Sequence, residues 1–202
     1  MIFSNNIRAI LTEMWPTILL VSVVCFSMRI YYLISNKQKL YLYKELINYF
    51  FIVYILCLFY VVTFQDVSWS SSNFTPFKEI LRYNIGSKMF YKNVLGNMVM
   101  FVPFGFFVSY FLKLKKIYFI NVLTIITSVT IEITQLLIGR VFDVDDLLLN
   151  LVGGIAGYLI YKLIKKINDK LPNFLKKTYI YNIIMMLLVG GLIFYIVKVV
   201  MV

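Results

Sequence analysis

The sequence predicts an all-α, polytopic membrane helix bundle with about six transmembrane helices and with both termini outside the cell. Of its 202 residues, 61% are hydrophobic and only 14% are charged, whereas soluble domains have roughly 45–50% and about 25%. The apolar residues form runs close to the ~20 residues with which a helix crosses the hydrocarbon. Because backbone exposed to lipid has no water to bond, such runs favour helices. We therefore interpret residues 1–202 as a single integral membrane domain.

Six apolar runs stand out when the charged residues are taken as their boundaries. They cover residues 16–34, 46–64, 94–112, 117–138, 147–164 and 179–200, and we refer to them as the first to sixth spans. The first span lacks a basic flank and a small-residue cleavage site, which favours an uncleaved anchor over a signal peptide. Arg29 lies near its end, from where its long side chain can extend toward the membrane surface.

The basic residues predict the orientation of these spans. Twelve of the 20 Lys and Arg residues lie in or beside the connections after the first, third and fifth spans. The positive-inside rule assigns those connections to the cytoplasm, which leaves both termini and the loops 65–93 and 139–146 outside. We interpret the net charge of +11 as a topology signal and an attraction to anionic membrane lipid, and not as nucleic-acid binding. The absence of His excludes His-bearing zinc sites and Ser-His-Asp triads.

A polar stripe runs along the otherwise apolar fourth span. Ser128, Glu132 and Gln135 follow one another at i, i+4 and i+7, and this spacing places them on one face of a helix. A carboxylate within a membrane span costs a few kcal/mol, so Glu132 must be paired, protonated or directed into a wet cavity. A hydrogen bond to an Asn or Thr of a neighbouring helix and a functional role explain it equally well.

The loop that follows carries an unusual concentration of charge. Arg140 precedes Asp143, Asp145 and Asp146, of which one can cap the next helix and interact with its dipole. Capping does not explain three aspartates, and we expect Arg140 to neutralise the gathered carboxylates. Asp143, Asp146 and Asn150 share a face if the helix begins by Asp143. Gly153 and Gly157 continue that face as a small-xxx-small pair, which permits close approach of another helix.

The third span offers another wall for the same site. Asn93 and Asn97 lie four residues apart at its outer end, and Pro103 followed by Gly105 predicts a kink. In the loop before it, residues 73–77 predict a turn that dips into the membrane surface, where Phe and Pro can also serve simply as interfacial anchors. Together, the three polar segments predict one acidic, amide-rich pocket that opens outward.

These motifs, in this order, resemble the VanZ-like membrane proteins, which are named for teicoplanin resistance. The resemblance covers residues 73–158. It rests on Asn73-Phe74-Thr75-Pro76-Phe77, Asn93-Val94-Leu95-Gly96-Asn97, Phe101-Val102-Pro103-Phe104-Gly105, Glu132-Ile133-Thr134-Gln135, the loop 139–146, Asn150 and Gly153-Gly154-Ile155-Ala156-Gly157. It implies a multi-pass protein of the bacterial cell membrane and, for some members, lowered sensitivity to glycopeptides such as teicoplanin.

The first functional hypothesis is an enzyme that acts on a lipid-linked or cell-wall component. Glu132, Asp143 and Asp146 would be its catalytic residues, with Glu132 as general acid or base. The carboxylates of Asp143 and Asp146 could also hold a divalent cation through hard oxygen ligands. The candidate substrate-binding residues are Asn73, Asn97, Gln135, Arg140 and Asn150.

Two other hypotheses remain open at this stage. A non-catalytic protein could bind the same component in the same pocket, or could contact another membrane protein through its sixth span or its Lys-rich loop. A small transporter would explain a charge within the membrane and a helix broken by Pro and Gly. The sequence has no internal repeat to support a transporter, and we rank that hypothesis last.

Overall fold

A computed structural model describes residues 2–64 and 72–201 and confirms the all-α class. The described helices are α1 (Ile2–Ser35), α2 (Leu42–Phe64), the short α3 (Lys78–Arg82), α4 (Gly96–Leu112), α5 (Ile117–Leu137), α6 (Val144–Lys170) and α7 (Thr178–Met201). A π-helix, Phe90–Leu95, leads directly into α4. All except α3 are long and apolar enough to cross a membrane, which confirms six candidate spans. Residues 65–71 of the predicted outward loop lie outside the described residues.

The chain packs as two compact units. The first comprises residues 1–60 and 170–202 and contains α1, most of α2, and α7. The second comprises residues 61–169 and contains the last turn of α2 together with α3 to α6. The single membrane domain and the outward orientation of both termini stay predictions.

In the first unit, an ion pair joins α1 to α2. Arg29 donates from Nε and Nη2 to the two carboxylate oxygens of Glu45, each at 2.8 Å, a bidentate geometry that strengthens such a pair. Arg29 therefore has a protein partner at the end of α1. Nearer the other end of these two helices, the Tyr60 hydroxyl donates to Glu13 at 2.6 Å.

In the second unit, glycines let α4 and α6 approach until their backbones touch. A Cβ atom added at Gly153 would collide with the carbonyl oxygen of Met98, and one at Gly157 with that of Val102. One added at Gly105 would collide with the backbone of Gly154. The predicted small-xxx-small contact is thus confirmed, and its partner is α4.

Helix α4 continues without a break through Pro103. The irregular backbone of this segment is the π-helix Phe90–Leu95, which precedes α4. The neighbouring helix α5 runs antiparallel to α6, since Ser128 bonds Asn150 while Thr124, one turn earlier, lies against Gly154. Because α4, α5 and α6 pack in this way, their polar side chains lie close together at one end of the unit.

Candidate functional site

The polar stripe predicted for the fourth span is a buried face of α5. Thr124, Ser128 and Glu132 are buried, whereas Ile133 and Leu137 on the other side of the helix are exposed. Gln135, one turn further on, is half-buried. This face packs against α6, where Thr124 lies against Gly154 and the Ser128 hydroxyl accepts a hydrogen bond from Asn150.

Glu132 is held by the loop between α5 and α6. Its Oε2 accepts a hydrogen bond of 3.0 Å from the backbone N–H of Asp143, so the buried carboxylate has a donor, as such a group requires. Arg140, which we expected to neutralise the carboxylates, lines the same cavity as Glu132 and Asp146, but the ion pairs of the described residues include none between them. Arg140 donates from Nη1 to the carbonyl oxygen of Val62 at 2.7 Å. This carbonyl belongs to the last turn of α2, and the final carbonyl groups of a helix have no donor within the helix.

Two amide side chains connect α6 to its neighbouring helices. Asn97 of α4 donates from Nδ2 to a carboxylate oxygen of Asp146. Asn150 donates from Nδ2 to the Ser128 hydroxyl at 2.8 Å. The predicted convergence of the third, fourth and fifth spans is therefore realised in hydrogen bonds between α4, α5 and α6.

These residues surround a small polar cavity of about 40 Å³, which is room for a few water molecules. Its polar lining comprises Asn97, Glu132, Gln135, Arg140, Asp146 and Asn150, and its apolar lining comes from Val61, Val62, Met100 and Ile131. Six of the eight predicted site residues thus meet around one cavity. It lies at the end of the unit where α2 and α5 end and where α4 and α6 begin.

The other two predicted residues, Asn73 and Asp143, stabilise the entrance to α6. They form a parallel β-bridge. In it, the Asn73 backbone N–H donates to the carbonyl oxygen of Phe142 at 2.8 Å, and the Val144 N–H donates to the carbonyl oxygen of Asn73 at 3.0 Å. The Asn73 amide also donates to Asp143 Oδ1 at 2.9 Å. The same oxygen accepts from the N–H of Asp145 at 2.9 Å, which is the bond of a helix cap. Burial raises the pKa of Asp143 above its ordinary value.

Asp145 is the residue whose role the sequence did not reveal. It is buried, and its carboxylate accepts three backbone N–H groups, those of Phe77, Glu79 and Ile80, at 2.5, 2.7 and 3.1 Å. It thereby caps α3 from a different helix. The only signal in the sequence was that three aspartates exceed what one helix cap requires.

The carboxylates of Asp143 and Asp146 supply only some of the ligands that a metal ion requires. Among the described residues, no three His, Cys, Asp or Glu side chains gather closely enough to hold a metal ion between them. Asp143 already accepts two N–H groups on one oxygen. A divalent cation at Asp143 and Asp146 stays a prediction, and it would need further ligands from amide oxygens, water or substrate.

The fold defines a multi-pass helical membrane protein, whose second compact unit contains the small polar cavity. A family model described as VanZ/LLP1 matches residues 51–166, from within α2 to near the end of α6. The chain belongs to the VanZ/LLP1 family. The matched region contains every residue around the cavity and extends on both sides of the resemblance seen at residues 73–158. Searches of curated proteins and of solved structures found no significant match.

Proposed function

We propose that this protein acts on or binds a lipid-linked or cell-wall component through the polar cavity, and thereby lowers bacterial sensitivity to teicoplanin-type glycopeptides. The observation that carries the proposal is the meeting of two carboxylates, three amides and a guanidinium around one cavity. Ionisable residues inside membrane spans are costly and most often mark functional sites. Membership of the VanZ/LLP1 family supports the envelope-related role.

The proposed chemistry centres on Glu132. This carboxylate is fixed on one oxygen by a backbone N–H, which orients it and leaves its second oxygen to exchange a proton with water or substrate. Asp146, oriented by Asn97, is the second acidic group in the same cavity. Arg140, Gln135 and Asn150 would bind the polar part of the substrate, since a guanidinium suits phosphate or carboxylate groups.

The size of the cavity favours a substrate that enters only partly. About 40 Å³ accommodates water but not a sugar or a peptide stem, so the bulk of the ligand would stay at the mouth. A polyprenyl or acyl chain would remain in the surrounding membrane. This division agrees with a lipid-linked component better than with a freely soluble one.

A non-catalytic binding protein is the second candidate. The side chains of Asp143 and Asn73 are already hydrogen-bonded to the backbone and to one another. Of the three predicted catalytic acids, only Glu132 and Asp146 therefore line the cavity. Among the described residues, the cavity lining contains no Ser, Thr, Cys or Lys, so its candidate nucleophiles are the two carboxylates. Both facts are compatible with recognition of an envelope component without a covalent step.

The exchange of Glu132 for Gln separates the two candidates. Cells of a susceptible bacterium would express the wild type, Glu132→Gln or Asp169→Asn at matched levels, and growth inhibition by teicoplanin would be measured. Asp169 is the matched control because it is an exposed acid at the far end of α6. An enzyme predicts complete loss of protection with Glu132→Gln, and a binding protein predicts partial loss. Full protection by Glu132→Gln would contradict both.

A further inference from the structure

Residues 74–91, here called the arm, expose a row of large apolar side chains. Phe74, Phe77, Leu81, Ile85 and Met89 recur every three or four residues, and their exposed fractions are 73%, 56%, 81%, 90% and 57%. An exposed group of large apolar side chains of this kind indicates a surface that binds a membrane or another protein. The arm includes α3, which is too short to form a stable helix without external support.

Basic side chains alternate with this apolar row. Lys78, Arg82 and Lys88 are exposed, and Glu79 is the only acid between residues 74 and 91. Glu79 pairs with Arg82 at 3.2 Å, an exposed contact that contributes little stability. The arm therefore combines exposed apolar groups with a net positive charge, the combination by which peripheral segments bind anionic membrane surfaces.

The arm is tied to the membrane-spanning helices at both ends. Near its start, Phe74 stacks on Phe142 with ring centroids 5.4 Å apart, and Asp145 binds three N–H groups of residues 77–80. Toward its end, Asn93 donates to the Tyr83 hydroxyl at 2.8 Å. Since Asp145 lies in the first turn of the membrane-spanning α6, the arm is held at the level where that span begins.

We propose that the arm lies in the membrane interface, with its apolar side chains at the boundary of the acyl chains and with Lys78, Arg82 and Lys88 bound to anionic phospholipid headgroups. The lipid is the occupant that fits, because the arm is held at the end of a membrane span and its charge is complementary to anionic lipid. This inference does not depend on the proposed function. It places a lipid-bound segment at the end of the unit where α6 begins, held to that helix through Asp145.

Spin-label accessibility in nanodiscs tests this proposal on the full chain. Single cysteines at Leu81, Ile85 and Asn84, in a protein without Cys25 and Cys57, would carry a nitroxide. The discs would contain phosphatidylcholine with or without phosphatidylglycerol. In discs with phosphatidylglycerol, we expect labels at Leu81 and Ile85 to be several-fold less accessible to an aqueous nickel chelate than the label at Asn84. The same two labels should be more accessible to oxygen, which concentrates in the membrane.

A charge-neutral variant provides the matched control. Lys78→Gln, Arg82→Gln and Lys88→Gln combined should, in anionic discs, raise nickel accessibility at Leu81 and Ile85 to the value that the parent shows in neutral discs. Equal nickel accessibility at Leu81, Ile85 and Asn84 in anionic discs would place the arm in water and overturn the proposal. Shielding of Leu81 and Ile85 from both reagents would also overturn it, because a protein would then cover the arm. Identical results in neutral and anionic discs would overturn the assignment to anionic lipid.

Discussion

At the scale of single residues, the three aspartates after Arg140 have three different roles. Asp143 caps α6, Asp145 caps α3, and Asp146 faces the cavity beside Asn97. The sequence indicated that these acids exceed one cap, but it could not assign them. The direction of each side chain depends on the residue at which α6 begins and on a turn 70 residues earlier, which only the tertiary structure supplies.

The role of Asp145 predicts a specific loss of stability. Asp145→Ala leaves three backbone N–H groups of the arm without their acceptor, and each lost bond to a charged group costs about 1.5–3 kcal/mol when the donor stays buried. We expect a lower thermal unfolding midpoint and faster tryptic cleavage after Lys78 and Arg82, measured on purified protein. Gly190→Ala, whose added methyl group meets no atom within 4 Å, should show neither change. Unchanged cleavage in Asp145→Ala would show that this carboxylate does not hold the arm.

At the scale of elements, the sequence predicted the helices and their contact faces well. The spacing of Ser128, Glu132 and Gln135 predicted a polar face of α5, and Gly153 and Gly157 predicted the close contact that α4 fills. Apolar runs and small-residue spacing are local properties, so the sequence carries them directly. The partner of Arg140 was missed because it is a backbone carbonyl of Val62, and a carbonyl leaves no side-chain pattern to read.

The helix contact predicts that glycine substitutions differ by position. Gly153→Ala and Gly157→Ala place a methyl group against backbone atoms of α4 that have no side-chain freedom to move, and overpacking of this kind costs about 1–3 kcal/mol. Gly190→Ala and Gly191→Ala in α7 meet no atom within 4 Å and should not lower stability, because Ala has the higher helix propensity. Thermal unfolding of all four variants checks this. Equal stability across the set would contradict the close packing of α4 on α6.

At the scale of the whole molecule, composition and span length were sufficient to predict a six-span membrane protein, and the order of the motifs indicated its family. The division into two compact units was not predicted from the sequence, because span length and apolar composition do not say which helices pack on one another. The orientation in the membrane is set by charge and by the insertion machinery, so it rests on the Lys-rich connections alone.

That orientation has a direct test in intact cells. Single cysteines at Asn84 and at Lys166, in a protein lacking Cys25 and Cys57, would be treated with a membrane-impermeant thiol reagent. The positive-inside rule predicts that the cysteine at Asn84 reacts and the one at Lys166 is protected until the cells are permeabilised. The reverse pattern would place the cavity on the cytoplasmic side and exclude the outer-surface components proposed above.

The central claim is that the residues around the cavity act as one site for an envelope component. The most direct measurement is the binding of a fluorescent lipid-linked cell-wall precursor to the full chain in nanodiscs. The wild type and Asp169→Asn should bind alike, and Asn97→Ala and Arg140→Gln should each weaken binding about tenfold, the loss expected for about 1.4 kcal/mol. Equal affinity in all four proteins, or no binding by the wild type, would contradict the claim.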